Sequence, residues 1–362
     1  MGWVLLEALK IILAAAMGQG LLIVIMLLTA RRSNFKANVF LSILVLMMTQ
    51  VMYIGYAQLQ GWNTEFLDRM GIYPLFIHGP VIYCYCILMT QPKVATSSIM
   101  VHFLWLLFPA LWIAFGLYNV SWGIPFLHIV SFLQIGGYYF LSIKKLRNYA
   151  QTIKLNFANT DKYRLRWLYF LLSGLGILTL LDLGSIMLNS LALEGMAQIQ
   201  FKYLYLLEAA YTFAIGFMAS RQPQILFNTP IIESTRKYDR SSLNYQKADD
   251  ICQQVQRITQ EQELFLNNEL SLSELAQLVK VSPHHLSQAL NENLNKNFYE
   301  FINELRIQHC QNLLKHPDNK RRNLTDIALE CGFNNKTSFN NAFKKHTNMT
   351  PSQFRKQQHT QT

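Results

Sequence analysis

The chain has 362 residues, 51% of them hydrophobic and 15% charged, and its formal net charge is +11. The basic excess divides between the loops of an apolar front and a polar C-terminal third, so one isoelectric point conceals two different surfaces. Its five cysteines, Cys84, Cys86, Cys252, Cys310 and Cys331, include no pair at zinc-site spacing, and no disulfide framework is expected.

Apolar stretches near the ~20 residues that cross a bilayer occur at Trp3–Ala30, Ala37–Ala57, Ile72–Thr90, Ile99–Tyr118, Ile124–Ile143, Trp167–Ser190 and Tyr203–Ser220. They predict a seven-helix transmembrane bundle in residues 1–221. Arg31, Arg32 and Lys36 follow the first stretch, Lys93 the third, and Arg221 the seventh. Lys144, Lys145, Arg147, Lys154, Lys162, Arg164 and Arg166 follow the fifth, whereas the other connections hold only Arg69 and Lys202. By the positive-inside rule the N-terminus lies outside and the C-terminus in the cytoplasm, the topology of a multi-pass protein of a bacterial cytoplasmic (inner) membrane. The first stretch contains Ala14-Ala15-Ala16, but its positive charges follow the apolar run, so it reads as a span and not as a cleaved signal peptide. Trp62, Trp122 and Trp167 fit interfacial belts, and Gly18-Gln19-Gly20, Gly136-Gly137 and Gly174-Leu175-Gly176 predict close helix packing.

Ionisable side chains inside such spans are costly and tend to face the bundle interior. Glu7, Lys10, His78, His128, Asp182 and Glu208 all map to the outer half or the midplane, a candidate pocket for an unknown ligand. The plainer reading is interhelical polar packing, with Glu7 and Lys10 simply paired one turn apart. Two carboxylates against one lysine would leave a pocket negative or partly protonated, favouring a cation, a metal ion or a proton as signal. His78, His128, Asp182 and Glu208 have metal-ligand chemistry without close spacing, so neither a metal nor a cofactor is expected. Tyr83-Cys84-Tyr85-Cys86 reads as packing.

Residues 222–246 form a polar linker, where Pro223 and Pro230 block continuation of the last helix. Beyond it Ala248, Ile251, Val255, Ile258, Gln262 and Phe265 alternate steps of three and four. This row fits either a short seam between two copies in a homodimer or a helix packed on the following domain, residues 247–362. It is the only obvious route for a signal between the two parts.

Within that domain one pattern occurs twice. Leu275-Ala276, a turn at Val279-Lys280-Val281-Ser282 and a helix from Pro283 to Asn293 are repeated by Ile327-Ala328, Cys331-Gly332-Phe333-Asn334 and a helix from Lys336 to His346. Leu286 and Leu290 fall on Phe339 and Phe343, so the buried rows coincide. The polar rows coincide too: His284, Ser287, Gln288 and Asn291 against Thr337, Asn340, Asn341 and Lys344. Such a stripe can read base edges from the major groove of double-stranded promoter DNA. His285, Asn335, Lys336 and Lys345 flank the two rows as further candidate contacts. Ser271 with Glu274, Ser282 before Pro283, and Thr350-Pro351-Ser352-Gln353 read as helix starts. Phe298 to Lys315 reads as a long helix connecting the copies, with Phe301, Leu305, Cys310, Leu313 and Leu314 mostly on one side. From Lys336 onward no acidic residue occurs, as phosphate contact requires, whereas Glu292 and Glu300 lie near the first copy.

These residues resemble the AraC/XylS-type DNA-binding domain. The likeness rests on Leu272-Ser273-Glu274-Leu275-Ala276, Ser282 to Ser287, Phe298 to Arg306, Ile327 to Phe333, and Phe343-Lys344-Lys345 through Thr350 to Arg355, about the last third of the chain. Asn295 and Asn348 stand where the family usually has Gly, and Asn is the next residue most tolerant of a left-handed cap. The resemblance implies a transcription factor that reads its promoter with both recognition helices. His78-Gly79-Pro80-Val81-Ile82-Tyr83-Cys84-Tyr85, followed by His102-Phe103 before Pro109, resembles the membrane part of bacterial regulators that join a seven-span domain to such a module. The expected architecture is therefore all-α, a seven-helix transmembrane sensor followed by a cytoplasmic AraC-type domain, with DNA, membrane lipid and an unknown ligand as partners. The alternative is a membrane transporter or enzyme with a regulatory DNA-binding tail. No convergent nucleophile, base and orienting group points to an enzyme, and no internal repeat or broken helix to a transporter.

Overall fold

Helices account for all regular structure among the described residues, and the single backbone bridge pairs Phe157 with Ser271. The computed structural model describes residues 2–29, 35–64, 72–91, 94–117, 120, 123–160, 166–190, 194–221 and 245–360. Two compact units emerge: Met1–Arg147 with Leu165–Ile231, and Asn148–Arg164 with Ile232–Thr362. The expected boundary at residue 221 takes no account of residues 148–164, which group with the C-terminal unit.

In the first unit, helices α1 (Gly2–Thr29), α2 (Phe35–Leu59) and α3 (Ile72–Thr90) lead to a run made of α4 (Thr96–Met100), a 3₁₀ stretch (Val101–Leu106) and α5 (Leu107–Ala114). Then come α6 (Gly123–Asn156), whose residues from Asn148 on group with the C-terminal unit, α7 (Arg166–Ser190) and α8 (Glu194–Arg221). By length and composition five segments suffice to cross a membrane, Leu6–Thr29, Phe35–Leu59, Thr96–Ala114, Pro125–Asn156 and Arg166–Ser185, while Pro74–Thr90 and Tyr203–Met218 are shorter apolar helices. Each of these segments overlaps one of the expected stretches. Large apolar side chains such as Leu22, Leu133 and Leu180 point outward, each more than 60% exposed. Inside α3, Pro80 has no N–H to give Phe76 O, and Gln134 of α6 donates to that carbonyl instead at 3.0 Å.

The helices depart from the expected spans in instructive places. The fourth is interrupted by the tighter 3₁₀ stretch, although no broken helix was expected. The fifth does not stop at Ile143: backbone hydrogen bonding carries α6 on through Lys144, Lys145, Arg147 and Lys154 to Asn156, so those charges lie on a helix and not in a loop. Helix α8 starts at Glu194, well before Tyr203. Of the glycines expected at close contacts, a Cβ at Gly174 would meet the Tyr211 ring at 2.1 Å and one at Gly20 would meet Thr49 Oγ1 at 2.5 Å, whereas Gly18, Gly136 and Gly137 face open space. Trp62 is exposed, but Trp167 is buried edge-on against Tyr85 and belongs to no interfacial belt. Trp122, Arg31, Arg32, Arg69, Lys93, Lys162, Arg164, Pro223, Pro230 and the linker up to residue 244 lie outside the described residues.

The C-terminal unit contains α9 (Tyr245–Glu261), α10 (Leu272–Leu278), α11 (Pro283–Leu294), α12 (Phe298–Lys315), α13 (Leu324–Glu330), α14 (Lys336–Thr347) and α15 (Pro351–Thr360). Their starts follow the expected chemistry. Ser271 and Glu274 form a reciprocal capping box, Ser282 Oγ accepts from His285 N with Pro283 next, and Thr350 and Gln353 cap each other. Asn295 and Asn348 end the two second helices with φ of 50° and 57°, the left-handed geometry that a glycine would otherwise supply. The apolar row of α9 is used within its own unit: Ala248, Ile251, Val255 and Phe265 join Leu275, Leu286, Leu290, Phe301 and Leu305 in one core. Ile258 packs against the same core, and Gln262 at the end of the row is exposed. The connector α12 serves two cores, since its later residues Ile307, Cys310 and Leu314 pack with Ile327, Phe333, Phe339, Phe343 and Phe354. In that second core Cys310 and Cys331 form a disulfide, Cα to Cα 5.9 Å, contrary to expectation. They approach because helix α12 and the turn after α13 pack together, which spacing in sequence does not reveal.

Candidate nucleic-acid interface and bundle cavity

The two helix-turn-helix units share a pattern but not an exposure. On α14, Thr337, Asn341 and Lys344 are exposed and Asn340 is half-buried, so one polar row faces outward with Lys336 and Lys345 beside it. On α11, Ser287 is only 8% and Gln288 only 7% exposed, and the whole stretch Leu286–Leu290 is buried. Gln288 Nε2 donates to Glu292 Oε1 at 3.0 Å, and Asn291 Nδ2 donates to Ser287 O at 2.7 Å, so part of the row's hydrogen-bonding capacity is used within its own helix. His284 and His285 are half-buried, their rings edge-on at 5.9 Å. Asn335 has a local task as N-cap, its Oδ1 accepting from Ser338 N at 2.9 Å.

Electrostatics sharpen the asymmetry. Lys345 Nζ donates to Glu300 Oε1 of α12 at 2.5 Å. Burial acts to raise the Glu300 carboxyl, but the hydrogen bonds from Lys345 and from Asn297 N outweigh it and hold the group below the usual carboxylate range. Lys296 of the first unit is likewise paired, with Glu304. Lys344 and Lys336 are exposed, and α14 carries no acidic residue, so cationic charge on this helix faces outward.

Arg306 is the residue that sequence reasoning passed over. It lies on the row Phe298, Ile302, Arg306, Cys310 of α12, an arginine in an otherwise buried line, and it is 1% exposed. Its guanidinium donates Nε to Phe265 O at 2.6 Å, Nη2 to Asn267 O at 2.9 Å and Nη1 to Ala158 O at 3.3 Å, and stands 5.7 Å from the Phe333 ring centre. Burial pulls its pKa down to about 10. The Ala158 contact brings in the segment that follows α6. Ala158 N donates to Leu270 O at 3.2 Å, Ala158 is part of the first core, and Ala158, Asn159 and Thr160 line a small cleft with Asn303, Asn334 and Ser338. One guanidinium thus ties residues 157–160 to the Phe265–Asn267 turn before the first copy and to Phe333 of the second.

In the first unit a cavity of about 360 Å³ is lined by His78, His128, Asp182 and Glu208, together with Gln50, Thr179, Tyr205 and mainly apolar side chains. Four of the six residues singled out in the spans therefore come together. Glu7 and Lys10 do not line it and are paired with each other at 2.9 Å. Asp182 and Glu208 come from successive helices, α7 and α8, and His128 from α6. His78 Nε2 shares a hydrogen bond with Tyr139 Oη at 3.1 Å, and Glu208 Oε2 is enclosed without a hydrogen-bond partner. No three His, Cys, Asp or Glu side chains among the described residues gather as a metal site. Tyr83, Cys84, Tyr85 and Cys86 are packed in the interior, and His102 bonds Tyr138 Oη at 3.2 Å.

Residues 275–357 match the family model described as a helix-turn-helix domain. An uncharacterised HTH-type transcriptional regulator of Staphylococcus aureus (strain COL) is 36% identical over 124 residues, 34% of this chain and 15% of that protein. The HTH-type regulator YijO of Escherichia coli (strain K12) is 34% identical over 92 residues, 25% of this chain and 31% of that protein. The chain thus spans well under half the length of these relatives. The C-terminal domain of AraT, a response regulator from Geobacillus stearothermophilus, aligns with 32% of this chain and 88% of that one at 25% identity and a TM-score of 0.26. The C-terminal part of the chain is an AraC-type helix-turn-helix domain.

Proposed function

We propose that this chain is a membrane-anchored one-component transcriptional regulator. Its first unit is inserted in a bacterial cytoplasmic membrane with the N-terminus outside and senses a signal there, and its C-terminal unit binds double-stranded promoter DNA in the cytoplasm. The observation that carries the reading is the tandem repeat with an exposed, acid-free polar row on α14, in a chain with five helices long and apolar enough to cross a bilayer. Asn340, Asn341 and Thr337 supply base-edge hydrogen bonds and Lys336, Lys344 and Lys345 supply phosphate contacts. His284, His285, Ser287, Gln288 and Asn291 form the second reading head, which must be uncovered before it reaches a groove.

Two connections carry the signal. One is α9, packed along α11. The other is the segment 157–160 after the long helix α6, held by Arg306 where the two repeats meet. The interrupted fourth helix is the kind of feature transporters use, but residues 101–106 contribute nothing to the cavity lining, which favours sensing over transport. A test is selection of random double-stranded DNA on the purified chain in lipid nanodiscs. One enriched motif with two elements about 10 base pairs apart is expected, and recovery of unselected sequence would overturn the reading.

A further inference from the structure

We infer that the cavity of the first unit binds a small organic ammonium ion, an amine on a short apolar body, through Asp182 and Glu208. The inference rests on the reading of the first unit as a sensor and narrows its ligand. Sequence alone left a cation, a metal ion and a proton open; the geometry separates them.

Size and ligand arrangement argue against a metal. The cavity measures about 360 Å³, more than twice the ~150 Å³ of an engineered cavity that takes up benzene, so an ion alone would leave most of it unfilled. Neither does the donor set close: among the described residues no three potential ligands gather. A proton fills no volume at all. An organic ligand fits the walls, since Leu44, Met48, Leu178 and their neighbours make most of the lining apolar.

Charge sets the head group. Asp182 and Glu208 both line the cavity, and no lysine or arginine does among the described residues. Lys10, the cation that the sequence placed nearby, is held by Glu7. Glu208 Oε2 is enclosed and accepts no hydrogen bond, an acceptor aimed at nothing within the chain. In a membrane interior such an oxygen is costly until a donor reaches it, and an ammonium brings donor and counter-charge together. Quaternary ammonium ligands call for an aromatic cage. Here Tyr205 is the one Phe, Tyr or Trp among the lining residues, so the N–H-bearing amine is the class that fits.

The test uses the full chain in nanodiscs, with 2-phenylethylamine as probe, 2-phenylethanol as its neutral counterpart, and tetramethylammonium and Zn²⁺ as controls. Titration calorimetry should show the amine binding at least about tenfold more tightly than the alcohol, the effect of one charge-assisted hydrogen bond. Glu208→Gln and Asp182→Asn should each erase most of that preference, and Leu178→Trp, which fills the cavity and leaves both carboxylates, should abolish amine binding while elution and DNA binding persist. Equal binding of amine and alcohol, no binding of either, or tighter Glu208-dependent binding of Zn²⁺ or tetramethylammonium overturns the inference. Operator occupancy measured in parallel separates this from the sensor reading. Glu208-dependent amine binding without a change in occupancy supports the site and refutes sensing, whereas occupancy that follows the alcohol but not the amine refutes the ammonium class and leaves sensing standing.

Discussion

The two helix-turn-helix units are the same sentence written twice, and the fold exposes them differently. Each has an apolar row beneath a polar row, each starts on a side-chain cap, and each ends on a left-handed asparagine. Yet Gln288 is buried where Asn341 is open, Ser287 is buried where Asn340 is half-buried, and the lysines Lys336, Lys344 and Lys345 sit on the second helix alone. Local sequence sets the form of a recognition helix; its surroundings set whether it can read. The polar row of the second unit is largely open and that of the first is largely covered.

The largest effect should come from the residue that joins the two units. Arg306→Ala leaves two buried carbonyls, Phe265 O and Ala158 O, and the part-buried Asn267 O without their donor, at about 1–3 kcal/mol for each that stays dry. A loss of at least ~3 kcal/mol is expected, read as a fall in hydrogen-exchange protection across α12 and the Phe265 turn, with Arg306→Lys between it and the parent. Unchanged protection would mean that the segment 157–160 is not fixed by this contact.

Base readout comes next. Asn341→Ala should cost about 1–3 kcal/mol on the selected site and little on random DNA. Gln288→Ala should cost less than Asn341→Ala in the intact chain, because exposing its row already opposes binding. A reversed order would break the comparison between open and covered helices.

Phosphate contacts should differ in the same graded way. Lys344→Ala is expected to lower the salt slope by about one, and Lys345→Ala by less, since Glu300 already holds Lys345. Glu300→Gln should release Lys345 and strengthen binding to random DNA, and weaker binding would show the pair to be structural. The smallest effect concerns acid. Because the folded Glu300 carboxyl lies below its ordinary value, its contribution is present above the ordinary carboxylate range and is lost as pH falls through the lower folded value. Glu300→Gln should therefore flatten the acid limb of the domain's stability curve slightly, a difference that thermal melts at several pH values measure.

Much of this was legible in the sequence because it is local. Caps such as Ser271 with Glu274, the paired rows Leu286/Leu290 and Phe339/Phe343, and the apolar runs of the bundle are properties of short windows. What escaped is non-local. Ala158 lies far along the chain from Leu270 and Arg306, and no periodicity announces that the segment after a long apolar helix completes the core of the C-terminal unit. The covered row of α11, the Cys310–Cys331 pair and the burial of Trp167 are of the same kind. The four cavity residues stood out only because ionisable groups are rare in apolar helices, and their convergence needed the bundle.

Hydroxyl-radical footprinting of the full chain in nanodiscs on its selected DNA tests the central claim most directly. The account predicts two protected segments on one face of the duplex, about 10 base pairs apart, with the segment read by α14 persisting when Gln288→Ala is introduced and lost with Asn341→Ala. Uniform protection, or a footprint that neither substitution alters, would contradict it.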